Sequence, residues 1–188
     1  MKGMIIVLAL LLVSGIVNVY AATPSDTCAM TVTVSVGKSV IVTGEPLAFP
    51  GVSAADTTGV VTSAAATVTS DASTTQDYNL QITGKPSGWS VEEAAGNPGN
   101  ETFKLFAMFA SGTPVAGDFS DASAEDVVKL SGTTNATADV YAKNDQGADV
   151  KGTGCTATSV RKLWFRYVPP ASTVLTTQQM VTVTVTAF

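Results

Sequence analysis

Apolar and polar residues alternate with a period of two along several segments of this chain. In residues 28–36 every second position is apolar, and the positions between them are Ala, Thr or Ser. Such alternation is typical of a β-strand with one buried face and one solvated face. The same pattern returns at 78–82 and 180–188. We therefore predict half-buried strands at all three segments.

Other segments read as strands of a different kind. Residues 103–110 are apolar on both faces apart from Lys104, which predicts a central strand. Turn-forming residues separate the apolar runs, and no segment has a convincing amphipathic helical pattern beyond a helical turn near 123–127. Shorter strands are predicted at 40–42, 47–49, 63–69, 127–130, 138–142 and 163–168. Eight to ten strands of this kind predict an all-β fold, an antiparallel β-sandwich of immunoglobulin-like architecture.

The first 21 residues have the pattern of a signal peptide. Lys2 precedes a continuous apolar run at 4–13, and small or β-branched residues surround a cleavage site after Ala21, with Ala22 as the alternative. An uncleaved anchor is less favoured, because spanning a bilayer takes roughly 20 predominantly apolar residues. The expected organisation is a signal peptide, 1–21, and a single β-sandwich domain, 22–188. The mature chain is then secreted to the cell surface and keeps no membrane span.

Composition and charge narrow the classes of partner. The formal net charge is −5, and removal of Lys2 with the leader makes it −6. An acidic chain without a basic cluster is not expected to bind nucleic acid, since phosphate neutralisation needs grouped Lys and Arg. Arg161, Lys162 and Arg166 form the only local basic group. We interpret it as a solvated strand face, and the alternative is a strand edge or a contact surface.

The two cysteines, Cys28 and Cys155, predict one intrachain disulfide, because exported proteins meet an oxidising compartment. Such a bond would close a loop of more than a hundred residues, which stabilises a fold by about 4–5 kcal/mol at most. A bridge to a neighbouring subunit and two free thiols are the alternatives.

Catalytic chemistry is not expected. The chain contains no histidine, which excludes His-activated nucleophiles and the His ligands of zinc and blue-copper sites. Ser35 and Lys38 match S-x-x-K in form, but residues three apart on a strand point to opposite faces. We therefore predict no enzyme activity, no catalytic residue and no cofactor.

A weak calcium candidate lies in an acidic loop, since Ca²⁺ prefers several oxygen ligands. The spacing does not match an EF-hand, and a solvated loop is the preferred interpretation. The candidate ligands are Asp118, Asp121, Glu125 and Asp126.

A terminal alternating strand can complete the sheet of a neighbouring molecule by β-augmentation. The candidate strand-exchange segment carries its apolar face at Met30, Val32, Val34 and Val36. The alternative is that this strand stays inside its own sandwich. The expected partners are further copies of the chain or other surface proteins.

Short motifs also give a resemblance. They are Tyr78-Asn79-Leu80, Gly88-Trp89, Leu163-Trp164-Phe165 and the alternating run from Val181 to Ala187. With the leader and the Ala/Thr/Val-rich strands, they resemble exported bacterial proteins with immunoglobulin-like sandwiches and are broadly similar to fimbrial subunits. The chain departs from chaperone–usher pilins in cysteine spacing and from type IV pilins at its N-terminus. The resemblance implies fold and compartment, and it transfers no functional residues.

These observations predict an exported structural protein of the cell surface, the extracellular matrix or a filament, acting through protein–protein contacts. The alternative is an extracytoplasmic module that binds carbohydrate or a small ligand. That module would need an exposed aromatic row or a lined pocket, whereas most aromatic residues lie inside apolar alternations and are expected in the core.

Overall fold

In a computed structural model, the elements of regular structure that lie wholly within the described residues are eleven β-strands and two short 3-10 turns, Ala116–Asp118 and Ala122–Ala124. The structure describes residues 26–34, 38, 40–53, 56–143, 146–147, 150–174 and 178–188, with side chains at all of these except 26–29, 31–34, 50–51 and 124. The strands are β1 (Asp26–Val34), β2 (Val40–Thr43), β3 (Leu47–Val52), β4 (Val60–Val61), β5 (Ala66–Ser70), β6 (Tyr78–Gly84), β7 (Ser90–Val91), β8 (Thr102–Phe109), β9 (Thr134–Asn135), β10 (Val160–Val168) and β11 (Gln179–Ala187).

The strands form two sheets, which confirms the all-β prediction. One sheet has the order β3-β1-β11-β6-β9, and the other has the order β2-β5-β10-β8-β7, with β4 also paired to β10. Most pairings are antiparallel. The predicted antiparallel arrangement does not extend to two pairings, because β1 pairs with β11 and β7 pairs with β8 in parallel.

Alternation along β6 and β11 builds the main core between the sheets. Val181, Val183 and Val185 are buried on one face of β11, and the threonines between them are half-buried. Leu80 and Ile82 of β6 point into the same core. A strand places successive side chains on opposite faces, so this local pattern decides which residues meet the second sheet.

Strand β8 is buried on both faces, as its sequence predicts. Its inward residues join the main core, while Phe106 and Met108 enter a smaller apolar cluster with Phe119 and Trp164. Phe119 lies in the loop that follows β8, so this loop covers the outer face of the sheet. The second cluster explains why polar residues are almost absent from β8.

The segments predicted as strands at 127–130 and 138–142 form isolated bridges instead. The backbone N–H of Val128 donates to Leu105 of β8, and the Lys129 carbonyl accepts from Ile82 of β6, both at 2.8 Å. The chain here crosses from one sheet to the other and closes one side of the molecule. None of the described residues belongs to a helix long and apolar enough to cross a membrane.

Candidate functional site: strand β1 and its groove

Strand β1 lies inside the five-stranded sheet, between β3 and β11. Its parallel register with β11 runs from Cys28 beside Gln179 to Val34 beside Val185. On the other side it pairs antiparallel with β3, where Ala29 lies beside Ala48 and Met30 beside Leu47. Without β1, a groove would open between β3 and β11, and each of these two strands would lose its hydrogen-bonding neighbour on that side.

Met30 is the residue of the predicted strand-exchange segment whose side chain the structure describes, and it is fully buried in the main core. Its register partner Val181 is also buried. Only the backbone is described at Val32 and Val34, which lie beside Val183 and Val185. Val36 lies outside the described residues, as does the predicted signal peptide, 1–21.

No family model, curated protein or solved structure matches this chain.

The two cysteines belong to opposite ends of the fold. Cys28 lies beside Gln179, the first residue of β11. Cys155 forms an isolated backbone β-bridge with Gln76, which lies two residues before Tyr78 of β6. Tyr78 in turn pairs with Ala187, the last residue of β11. The nine residues of β11 span about 27 Å at roughly 3.3 Å per residue. A disulfide requires Cα atoms within about 7 Å. The described backbone register therefore does not accommodate the predicted intrachain bond.

Cys155 carries a free, fully buried thiol. Its Sγ atom lies 3.6 Å from the Lys151 carbonyl, in contact range for a weak hydrogen bond. Burial is the main cause that raises the pKa of the Cys155 thiol, and it also raises the pKa of the neighbouring Tyr78 to about 12. A protonated, enclosed thiol is a poor nucleophile, so Cys155 acts here as a core residue.

Three of the four predicted calcium ligands accept hydrogen bonds from the protein. Asp118 binds the Val115 N–H and Lys143. Asp121 binds the Gly96 N–H and Lys104. Within the described part of the chain there is no group of three or more acidic, Cys or His side chains arranged to hold a metal ion. The structure thus gives the calcium hypothesis no support. The fourth candidate ligand, Glu125, is half-buried.

Asp126 is the buried member of this loop. Its Oδ2 atom accepts from the Ser120 N–H at 2.7 Å, and its Oδ1 atom accepts from the Tyr141 N–H at 2.8 Å. Desolvation is the largest influence and raises the pKa of Asp126 to about 7, although the backbone donors oppose it. One carboxyl group therefore ties together two segments on the side where the chain crosses between the sheets.

Lys104 also has a structural role that its sequence context did not reveal. Its ammonium group is buried and donates to the carbonyls of Ala94, at 2.6 Å, and Gly96. It also forms an ion pair with Asp121 at 2.9 Å. These contacts fasten two loops to the central strand β8.

The basic group on β10 is divided between the two faces of its sheet. Arg161 is buried and Lys162 is exposed, while Arg166 is half-buried with its guanidinium 4.7 Å from the Phe106 ring centre. The interpretation of all three as a solvated face is wrong for Arg161, because the strand alternation turns its side chain inward.

The aromatic residues pack in the interior, as their sequence context predicts. Trp89, Trp164 and the described tyrosines at 78, 141 and 167 are all buried. The one exposed aromatic side chain among the described residues is Phe188, at 42%. A single exposed ring does not form the aromatic row that a sugar-stacking surface would use.

Proposed function

We propose that this chain is an exported structural protein of the cell surface, the extracellular matrix or a filament, and that it assembles through contacts between copies. We further propose that the two sheets form an immunoglobulin-like sandwich. The observation that carries this proposal is the position of β1. The first described strand, close after the predicted cleavage site, lies in the middle of a sheet instead of at its edge.

The groove for β1 is unfavourable when empty. The walls contribute Val181, Val183 and Leu47, all buried. Complete exposure of such side chains costs about 1.5–3 kcal/mol each. The unpaired backbone groups of β3 and β11 add a further penalty and would form two open strand edges. Some strand must therefore occupy the groove in any stable state of the protein.

The contacts themselves do not select which copy supplies that strand, because every copy carries the same β1 sequence. β1 continues into β2 of the other sheet through residues 35–39, so withdrawing it leaves the connections among β2–β11 unchanged. Domain swapping of this kind reproduces the same contacts between subunits. The balance between β1 held in its own chain and β1 donated to another copy depends on the linker, residues 35–39, and on protein concentration.

Disulfide trapping tests this exchange directly. Ala29 and Ala48 are register partners on β1 and β3, and Ala48 is exposed, so Ala29→Cys with Ala48→Cys introduces a bond without opening the core. The experiment uses mature protein carrying Cys28→Ser, oxidised after size-exclusion chromatography. Exchange between copies predicts a ladder of covalent oligomers on a non-reducing gel and filaments by negative-stain microscopy.

The matched control is Gln81→Cys with Thr184→Cys, register partners on β6 and β11. Both strands stay in one chain whether or not β1 is exchanged, so this pair should give a cross-linked monomer. A cross-linked monomer from the β1–β3 pair as well, at every concentration, together with a single monomer peak, would contradict assembly by exchange.

A binding function, the alternative from the sequence, has one supporting observation. A pocket beside Arg161 provides the lined cavity that such a module needs.

A further inference from the structure

Four of the described strands lie at sheet edges, and β2 differs from the other three. β7 and β9 are two residues long, and β3 contains Pro50, which has no N–H to donate to a further strand. Short edges and proline are devices by which natural sheets prevent pairing with other molecules. β2 has four β-branched residues, with neither proline nor charge. No described strand pairs with it on the side away from β5.

The outward residue of β2 extends an exposed apolar row to this edge. Val40 is buried and Val42 packs against the main core, so alternation turns Ile41 outward, where it is 47% exposed. Ile41 lies beside Thr69 of β5, and Thr69 lies beside Val160 of β10, which is 55% exposed. An apolar side chain therefore accompanies the open backbone edge of this sheet.

The charges that flank β2 are self-complementary. Lys38 is exposed and lies two residues before the strand, and Glu45 lies two residues after it. In an antiparallel pair of β2 strands the start of each lies beside the end of the other, so Lys38 of one copy approaches Glu45 of the second. Parallel pairing would bring like charges together instead. The flanking charges therefore favour an antiparallel copy of the same edge.

We propose that β2 pairs antiparallel with β2 of a second copy, around a two-fold axis through Ile41. This register places Ile41 beside Ile41 of the second copy and Val40 beside its Val42. Each face of the six-stranded sheet then continues into the next molecule, whereas a slip of one residue would place outward residues beside inward ones. An axis through Val42 would place Ile41 beside Thr43 and lose the apolar contact at the centre.

This contact is isologous and closes at two copies. It is separate from strand exchange, because β1 belongs to the five-stranded sheet and β2 to the six-stranded one. Stable interfaces bury roughly 800 Å² on each partner, and a strand of four residues buries less, so isolated copies should dimerise weakly. Copies already linked through β1 would pair more readily, because linkage raises their effective concentration.

Ile41→Cys tests the register with a single substitution. The mature protein carries Cys28→Ser, and the remaining native thiol, Cys155, is buried. Opposed residues of antiparallel strands have Cα atoms about 4.5–5.5 Å apart, within reach of a disulfide. Oxidation and non-reducing peptide mapping should therefore give a peptide linked to its own copy at position 41.

Thr43→Cys is the matched control, because Thr43 is exposed on the same face of β2. In the proposed register it lies opposite residue 39 of the second copy, which separates the two Cα atoms at position 43 by about 13 Å. We expect no self-link at this position. Equal self-links at the two positions would indicate random collision and overturn the proposal, as would a self-link at neither.

Ile41→Lys provides a second test without cross-linking. Two ammonium groups would meet at the axis, so the dissociation constant of the dimer should rise at least about tenfold in sedimentation velocity. Val174→Lys adds the same charge at a site that is 86% exposed and lies outside β2, and it should leave the constant unchanged. Similar constants for the wild type and Ile41→Lys would contradict the contact.

The two kinds of assembly fail separately. Strand exchange is read from the link between Ala29→Cys and Ala48→Cys, and the β2 contact is read from the self-link at position 41. A self-link at 41 in a protein whose β1–β3 pair gives cross-linked monomer would leave the β2 contact standing without exchange. The opposite result would leave exchange standing and remove the β2 contact.

Discussion

Met30 of β1 and Val181 of β11 lie side by side on parallel strands, and both side chains are buried in the core between the sheets. Leu47, on the opposite wall, is the antiparallel partner of Met30. Met30 therefore occupies the middle of the groove between β3 and β11. The same contacts form whether the strand comes from its own chain or from a neighbour.

Met30→Ala should consequently lower both the stability of the subunit and its assembly. Truncation of a buried methionine costs about 2–5 kcal/mol, because apolar contacts are lost and a cavity remains. Urea denaturation measures the first effect, and size-exclusion chromatography measures the second. Thr186→Ala, on the half-buried outer face of β11, is the control and should change the free energy of unfolding by less than about 0.5 kcal/mol. Equal effects of the two substitutions would show that Met30 does not fill the groove.

The buried Asp126 should make stability depend on pH near neutrality. Its pKa is raised to about 7 in the folded chain, whereas an unfolded aspartate titrates near 3.9. The folded state therefore binds the extra proton, and this contribution to stability is fully present below about pH 3.9 and lost as the pH rises through 7. The slope reaches at most about 1.4 kcal/mol per pH unit.

Asp126→Asn should remove this component, so the difference in unfolding free energy between variant and wild type should vary with pH from 4 to 8. Glu93 and Asp118 influence stability in the opposite sense, because hydrogen bonds lower their pKa values in the folded chain. Their contribution to the free energy of unfolding is therefore lost only as the pH falls into the acid range. A pH-independent difference would mean that Asp126 titrates alike in the folded and unfolded chains. Urea denaturation at each pH provides the measurement.

The Lys104–Asp121 pair should be worth more than a surface ion pair. Lys104→Met removes the ammonium that holds two carbonyls and one carboxylate, at an expected cost of about 2–4 kcal/mol. Lys143→Met breaks the pair with Asp118, in which neither side chain is fully buried, and should cost about 0–1 kcal/mol. Chemical denaturation compares the two, and similar losses would show that burial of Lys104 adds nothing.

The thiols offer a fourth prediction. If no bond joins Cys28 to Cys155, Cys28→Ser should change stability by less than about 1 kcal/mol, compared with about 4–5 kcal/mol for losing a disulfide across so long a loop. Cys155 should react with iodoacetamide only after unfolding, because its thiol is buried. Non-reducing peptide mapping supplies the decisive check. A peptide pair linking the two cysteines would contradict the register described for β1.

Local pattern by itself determined several of the strands and the faces that they bury. The alternation at 78–82 and 180–188 and the double-sided apolar run at 103–110 all correspond to strands, because a period of two depends only on neighbouring residues. The all-β class followed from the same pattern. Turn residues between the runs were sufficient to separate one strand from the next.

Only the tertiary structure decided which strands are neighbours. Residues 127–130 have the composition of a strand, yet they cross between the sheets because Val128 and Lys129 bond to different partners. Likewise, β1 and β11 read as similar alternating segments, but sequence does not specify that they pair in parallel. That pairing separates the two cysteines. Such features depend on long-range register, which local periodicity does not contain.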